Sequence, residues 1–197
     1  MALSRVLIMR HAESEDGPEL DPTRTLTETG RTVQIPAIAD FLVRQLGRVD
    51  LVVSSNMARA RDTAKPLFEA LGATGFEEIW QLDPDIKPEV AWKRIKQLGQ
   101  NCESALVVTH QPLVSELLKY LCGAQTGEKT FPHAAVACIH LHKDMNQIHL
   151  AWLVNPLLVE RDEIATTREA LKLTKELLEA LRSDSDETDE VVLSSQV

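Results

Sequence analysis

The sequence predicts an α/β protein of three layers, with helices on both faces of a largely parallel central sheet. Three observations carry that prediction. Short apolar runs rich in branched residues, Arg5 to Met9, Asp50 to Ser54 and Ser104 to Thr109, have the length and composition of buried strands. Stretches of helical period alternate with them, the pattern that favours parallel pairing. Polar, chemistry-bearing residues stand directly after each run: Arg10-His11, then Ser55-Asn56, then His110. Ligands of open α/β sheets sit beyond the carboxyl ends of the strands, so the three ends point to one site.

Each element has a local reason. Residues 11–24 read as a polar loop, with Asp16-Gly17-Pro18 and Asp21-Pro22 as turn signals. Thr27 is placed to cap a helix running towards Leu46, with Val33, Ala37, Phe41 and Leu42 near helical spacing. Pro36 lacks an N–H donor and should kink that helix or delay its regular part. Gly47 is placed to end it.

The strand at residues 50–54 leads to a helix from Met57 to Leu71, ended by Gly72. A short strand around Glu77 to Trp80, an Asp- and Pro-rich loop and a helix from Glu89 to Leu98 follow. Pro112 suits the first turn of the helix after the third strong strand. Leu113, Val114, Leu117, Leu118 and Leu121 mark its buried side, with Gly123 beyond its end. Runs at residues 134–141 and 147–153, joined by Lys143-Asp144-Met145-Asn146, read as a hairpin.

These elements make residues 1–157 one domain. Residues 158–182 add a C-terminal helix, with Ala170, Leu173, Leu177 and Leu181 along the face expected to pack on the domain. The acidic end, residues 183–197, lacks apolar surface to offset its ordering entropy and is expected to be mobile.

A chain of 197 residues with 44% hydrophobic content is long enough for one domain with a sizeable core. The net charge of −9 argues against general nucleic-acid binding, which depends on Lys and Arg neutralising phosphates. Asp184, Asp186, Glu187, Asp189 and Glu190 supply five of those charges without a base, leaving −4 for the rest. A cationic pocket is compatible with that body.

The run Val6-Leu7-Ile8-Met9 is too short for a secretory signal and is interrupted by Arg10-His11. Nothing approaches the ~20 apolar residues of a membrane span. The expected location is cytoplasmic, without a membrane partner. Cys102, Cys122 and Cys138 are widely spaced and read as structural. His140 and His142 share a strand face, with His149 opposite. No carboxylate or cysteine is placed to complete a metal site, so solvated strand histidines are expected there.

The strand-end residues belong to three longer blocks. They are Leu7-Ile8-Met9-Arg10-His11-Ala12-Glu13-Ser14, then Ser55-Asn56-Met57-Ala58-Arg59-Ala60-Arg61-Asp62-Thr63, then Val107-Val108-Thr109-His110-Gln111-Pro112. Two arginines and two histidines brought together would hold a tetrahedral dianion and attack it. Arginine suits the task because its planar fork donates parallel hydrogen bonds and stays charged. Arg61, two residues from Arg59, falls on another helix face and reads as an ordinary surface arginine.

The combination resembles the histidine phosphatase, or phosphoglycerate mutase-like, superfamily, and most of all its SixA-type protein-histidine phosphatase branch. The likeness spans Arg5 to Leu153. Arg24-Thr25-Leu26-Thr27-Glu28-Thr29-Gly30 is similar to the Arg-Pro-Leu-Thr-x-x-Gly stretch of small members. The resemblance implies that His11 is the nucleophile and forms a phosphohistidine intermediate. Arg10 and Arg59 would clamp the phosphoryl oxygens and His110 would complete the pocket. Ser14 and Asn56 are candidate neutral donors to substrate. No metal or cofactor is expected, because the arginines and a histidine already supply positive charge.

Two departures stand out. Ala12 replaces the glycine of the usual Arg-His-Gly. Mutases and many ester phosphatases carry the glutamate that protonates the leaving group in a long segment between the second and third blocks, and here that interval is short. Asp83, Asp85, Glu13 and Asp16 remain open as candidate acids. A P–N bond needs less help from a protein acid, since the leaving imidazole can be protonated from solvent. Phosphohistidine on a partner protein, such as a phosphotransfer domain, is therefore the first expectation. A small phosphate ester (a sugar phosphate or nucleotide) is the second, and a phospho-recognition module with little turnover the third.

Overall fold

The computed structural model describes residues 3–123, 131–141 and 148–155. Six strands form one sheet: β1 (Arg5–Arg10), β2 (Leu51–Ser54), β3 (Gly75–Glu78), β4 (Ser104–Thr109), β5 (Val136–Leu141) and β6 (Ile148–Val154). Their order is β3-β2-β4-β1-β5-β6. The first four are mutually parallel, and β5 and β6 add an antiparallel edge.

The register aligns the strand ends. Arg10 pairs with Thr109 across β1 and β4, and Ser54 pairs with Val108 across β2 and β4. Beyond these pairs the His11 N–H donates to Thr109 O at 2.9 Å, and the Ser55 N–H to Val108 O at 3.0 Å. Segments 98 and 53 residues apart in the chain are thus neighbours at one end of the sheet.

Among the described residues, four α-helices cover the faces: α1 (Ile35–Leu46), α2 (Ala58–Ala70), α3 (Pro88–Leu98) and α4 (Leu113–Cys122). On one face Val6, Ile8, Val53 and Val107 pack with Trp92 and Ile95 of α3 and Val114 and Leu117 of α4. The alternate strand residues Leu7, Met9, Val52, Leu106 and Val108 are equally buried on the other face, on the side of the α1–α2 pair. Burying such a side chain contributes about 1.5–3 kcal/mol. An exposed ion pair such as Arg44–Asp40, at 2.7 Å, contributes about 0–1 kcal/mol. Two-sided burial, rather than surface charge pairing, fixes the sheet that carries the strand ends.

The approach to α1 departs from a regular helix. Thr27 Oγ1 accepts the Gly30 N–H at 3.0 Å, the capping its position suggested. Residues Gly30–Gln34 then form a π-helical turn in which the Ile35 N–H reaches Gly30 O. Pro36, which cannot donate to the preceding turn, follows directly. The wider turn inserts about one extra residue and rotates the upstream stretch. Val33, expected on the buried face, is consequently exposed, and Ile38, Phe41 and Leu42 form the buried stripe.

Two further boundaries differ from expectation. The short strand lies at Gly75–Glu78, where it pairs with all of β2, and Trp80–Leu82 turn into a 3₁₀ segment. Pro112 stands outside α4 as its N-cap rather than within its first turn. His140 and His149 are opposite each other across β5 and β6, their rings 5.3 Å apart. His142, the 143–146 connection, the C-terminal helix and the acidic tail lie outside the described residues. No helix among the described residues is long and apolar enough to cross a membrane.

Gly30 carries a specific constraint. A Cβ there would lie 2.3 Å from the backbone oxygen of Glu13, two residues after His11. Gly30→Ala is expected to destabilise the protein by about 1–3 kcal/mol, the usual range for overpacking, and to lower turnover by shifting residues 12–14. Urea denaturation and steady-state kinetics check this, and an unchanged unfolding midpoint would refute it.

Candidate active site

His11 is fully buried at the end of β1. Its Nδ1–H donates to its neighbour Ala12 O at 2.7 Å, which leaves Nε2 with a lone pair. That lone pair accepts the Nε–H of Arg59 at 3.2 Å. The backbone around it is held from two sides. The Ala134 N–H donates to His11 O at 3.0 Å. The Ala12 N–H donates to Thr63 Oγ1 at 3.0 Å, and that hydroxyl donates to Arg59 O at 2.7 Å. The threonine of the Ser-x-x-x-Arg-Ala-x-x-Thr block thus ties the backbone after His11 to the helix that carries Arg59.

Arg59, in the first turn of α2, has no exposed surface. Its Nη1 donates to Asp21 O at 2.8 Å, and its Nη2 donates to Glu19 O and, at 3.2 Å, to Glu19 Oε1. Arg10 continues β1 and donates from Nη1 to Phe131 O at 2.9 Å. His110 follows β4 and is also fully buried, with its ring centroid 5.0 Å from that of His11. Neither of its ring nitrogens has a hydrogen-bond partner among the described residues. All four residues singled out by the three blocks are thereby gathered at one end of the sheet.

The electrostatics of the cluster are uniform in sign. Burial pushes His11 well below the ordinary imidazole range, and His110, Arg59 and Arg10 push it further. Burial, with Arg59, Arg10 and Arg24, lowers His110 to about 3. Both histidines are therefore neutral near pH 7. His11, Glu19 and His110 bring potential ligand atoms within 4.8 Å of one another. The three guanidinium groups acting on His110 oppose a cation there and attract an anion.

The neutral donors and candidate acids are placed less uniformly. Ser14 is buried, but its Oγ accepts Arg24 Nη2 at 2.7 Å. Asn56 is exposed. The Glu13 carboxylate accepts from Thr27 Oγ1 at 2.8 Å, so it braces the entry to the helix. Asp16 and Asp85 are exposed. Asp83 is half-buried, accepts from Ser55 Oγ at 2.7 Å, and is raised by burial above the usual carboxylate range.

Three residues join the site without having been singled out as site residues. Glu19 touches Arg59. Arg24 organises the loop, donating to the carbonyls of Glu15, Gly17 and Pro18 and to Glu19 Oε2. His133 places its ring 5.4 Å from His11. Arg24 had a signal, as the first residue of the Arg-Thr-Leu-Thr-x-x-Gly stretch. Glu19, in an acid-rich loop, and His133, after Pro132, had none of comparable strength.

Fold and site together define an α/β protein that gathers two arginines and two neutral histidines at its strand ends. Residues 6–87 match the model of the histidine phosphatase superfamily (branch 1). The chain is 27% identical over 154 residues to phosphohistidine phosphatase SixA of Escherichia coli (strain K12), covering 77% of this chain and 94% of that protein. It superposes on the structure of protein histidine phosphatase SixA complexed with tungstate with a TM-score of 0.70 at 25% identity, over 79% of this chain and 99% of that one. A mycobacterial glucosyl-3-phosphoglycerate phosphatase complexed with inorganic phosphate shares the fold, at TM-score 0.58 and 19% identity over 75% and 95% of the two chains. The chain is a phosphatase, similar to the histidine phosphatase superfamily over residues 6–87 and to SixA-type phosphatases over most of its length.

The depressed histidines make stability pH-dependent. Unfolded, His110 titrates near 6.5; folded, it titrates at about 3. Between those values the unfolded chain binds a proton that the folded chain refuses. The contribution is therefore intact above about pH 6.5 and is lost as pH falls towards 3, by up to ~1.4 kcal/mol per unit. His110→Gln is expected to flatten this dependence between pH 7.5 and 5.5, measured by denaturation. Parallel profiles for the two proteins would contradict it.

Proposed function

We propose that this phosphatase removes the phosphoryl group from phosphohistidine on a partner protein. His11 Nε2 attacks phosphorus, the P–N bond of the substrate breaks, and the leaving imidazole takes a proton from solvent. Water then attacks phospho-His11, releasing inorganic phosphate and restoring the free imidazole. Arg10 and Arg59 stabilise the non-bridging oxygens, where charge develops, from fixed positions. His110 sits neutral while the pocket is free of anion and gains basicity once a dianion offsets the surrounding guanidinium groups.

The observation that carries the nucleophile assignment is the 2.7 Å bond from His11 Nδ1–H to Ala12 O, which fixes the tautomer with Nε2 unprotonated. The substrate assignment is supported by the match to nearly the whole of the phosphohistidine phosphatase SixA. The brevity of the 79–87 connection between β3 and α3 also supports it, because it leaves little chain there to enclose a metabolite.

One observation favours a small phosphate ester instead. Burial favours the protonated form of Asp83, and its Ser55 partner belongs to the second strand-end block. An ester alkoxide leaves poorly without an acid, whereas imidazole does not need one.

Turnover of a phosphohistidine-bearing protein beside a panel of phosphate monoesters tests both readings. His11→Ala is expected to abolish turnover, and Arg59→Ala to reduce it by at least ~100-fold, a typical loss for one transition-state donor. Asp83→Asn should leave P–N cleavage within about threefold of wild type. Strong ester cleavage that collapses in Asp83→Asn would establish the ester reading. Near-normal activity of His11→Ala would remove both.

A further inference from the structure

We infer that Glu19 is a built-in competitor for the phosphoryl group, holding the donors of Arg59 until a more highly charged anion displaces it. This rests on the assignment of Arg59 to the phosphoryl pocket. The Nη2 group of Arg59 is occupied by Glu19, through its carbonyl and through Oε1 at 3.2 Å. The Nε–H of the same arginine lies on His11 Nε2, the atom that attacks phosphorus. His11, Arg59 and Glu19 therefore form a closed relay in which both the nucleophile and its clamp are already engaged. A phosphoryl group can reach Nε2 and Arg59 Nη2 together only if the Glu19 carboxylate withdraws.

The carboxylate is held but not trapped. It also contacts Arg24 Nη1, at 3.4 Å, and 45% of its side chain remains exposed, against none for Arg59. Exposed ion pairs are weak and solvated, so Glu19 can swing outward while Arg59 stays fixed by Asp21 O. One ligand atom of Glu19 lies within 4.8 Å of one ring nitrogen each of His11 and His110. A carboxylate carries one negative charge and a phosphoryl group up to two. The exchange therefore favours phosphoryl ligands over monoanions such as acetate or chloride, making Glu19 a residue that sets specificity as well as affinity.

Calorimetric titration of inorganic phosphate, together with KM and kcat for a phosphorylated substrate, tests this with four variants. Glu19→Gln should tighten phosphate binding by at least ~10-fold and lower KM. Glu19→Asp keeps the charge but shortens the reach, and should also tighten binding, by at least ~3-fold. Glu15→Gln, which removes an equal charge from an exposed position in the same loop, should change it by less than ~2-fold. Equal effects of the Glu15 and Glu19 substitutions, or wild-type affinity in Glu19→Asp, would reduce the role to long-range charge and overturn the inference. A loss of kcat without a change in phosphate affinity would also overturn it, by making Glu19 an acid–base group. Arg59→Ala separates the two assignments. If it binds phosphate as wild type does, the pocket itself is misassigned. If it alone loses phosphate, the pocket stands and Glu19 is judged by its own variants.

Discussion

A buried guanidinium must find acceptors for its N–H groups, because an unpaired buried charge costs several kcal/mol. Arg59 has no exposed surface, and much of the surrounding site follows from how it is satisfied. Its acceptors are the ring of His11 and the loop at Glu19 and Asp21. That one side chain thereby ties β1, α2 and the long polar loop into a single arrangement. Thr63, one turn further along α2, repeats the connection through the Ala12 N–H and Arg59 O.

The second organising feature is the pairing of fixed positive charge with neutral imidazoles. Arginine remains charged in a desolvated site, whereas histidine gives up its proton there. Burial works against the charge of Arg10 and Arg59, which their high intrinsic basicity preserves, while it strips the proton from His11 and leaves Nε2 unprotonated. His110, whose ring nitrogens have no partner among the described residues, is held neutral by burial and by the neighbouring guanidinium groups.

Positioning extends beyond the three strand ends. The segment Phe131 to Ala135 accepts from Arg10 Nη1 and from the Arg10 N–H, and donates from Ala134 to His11 O. Ala134 adopts a positive φ of 57° to do so. Gly30 permits the close approach of the Glu13 backbone, which explains why the Leu-Thr-x-x-Gly stretch ends in glycine. Glu13, considered as an acid, is instead engaged with Thr27 at the entry to the helix. Ser14, considered as a substrate donor, supports Arg24.

The sequence by itself determined strands at residues 5–9, 50–54 and 104–109, each within one residue of the observed bounds, the helices between them, and the placement of Arg10, His11 and His110 at strand ends. These are legible because apolar runs, helical periodicity and caps act over a few residues. Tertiary structure alone decided that β1 lies between β4 and β5, that a π-helical turn before Pro36 exposes Val33, and that Glu19, Arg24 and His133 join the site. None of those residues lies on a periodic face or in a regular element. Their roles arise from the acceptors that a buried arginine 35–40 residues away requires, and from a loop that returns to β1 more than 100 residues later. Such contacts become specific only once the sheet has aligned its strand ends; of the three residues, only Arg24 belongs to a recognisable local stretch.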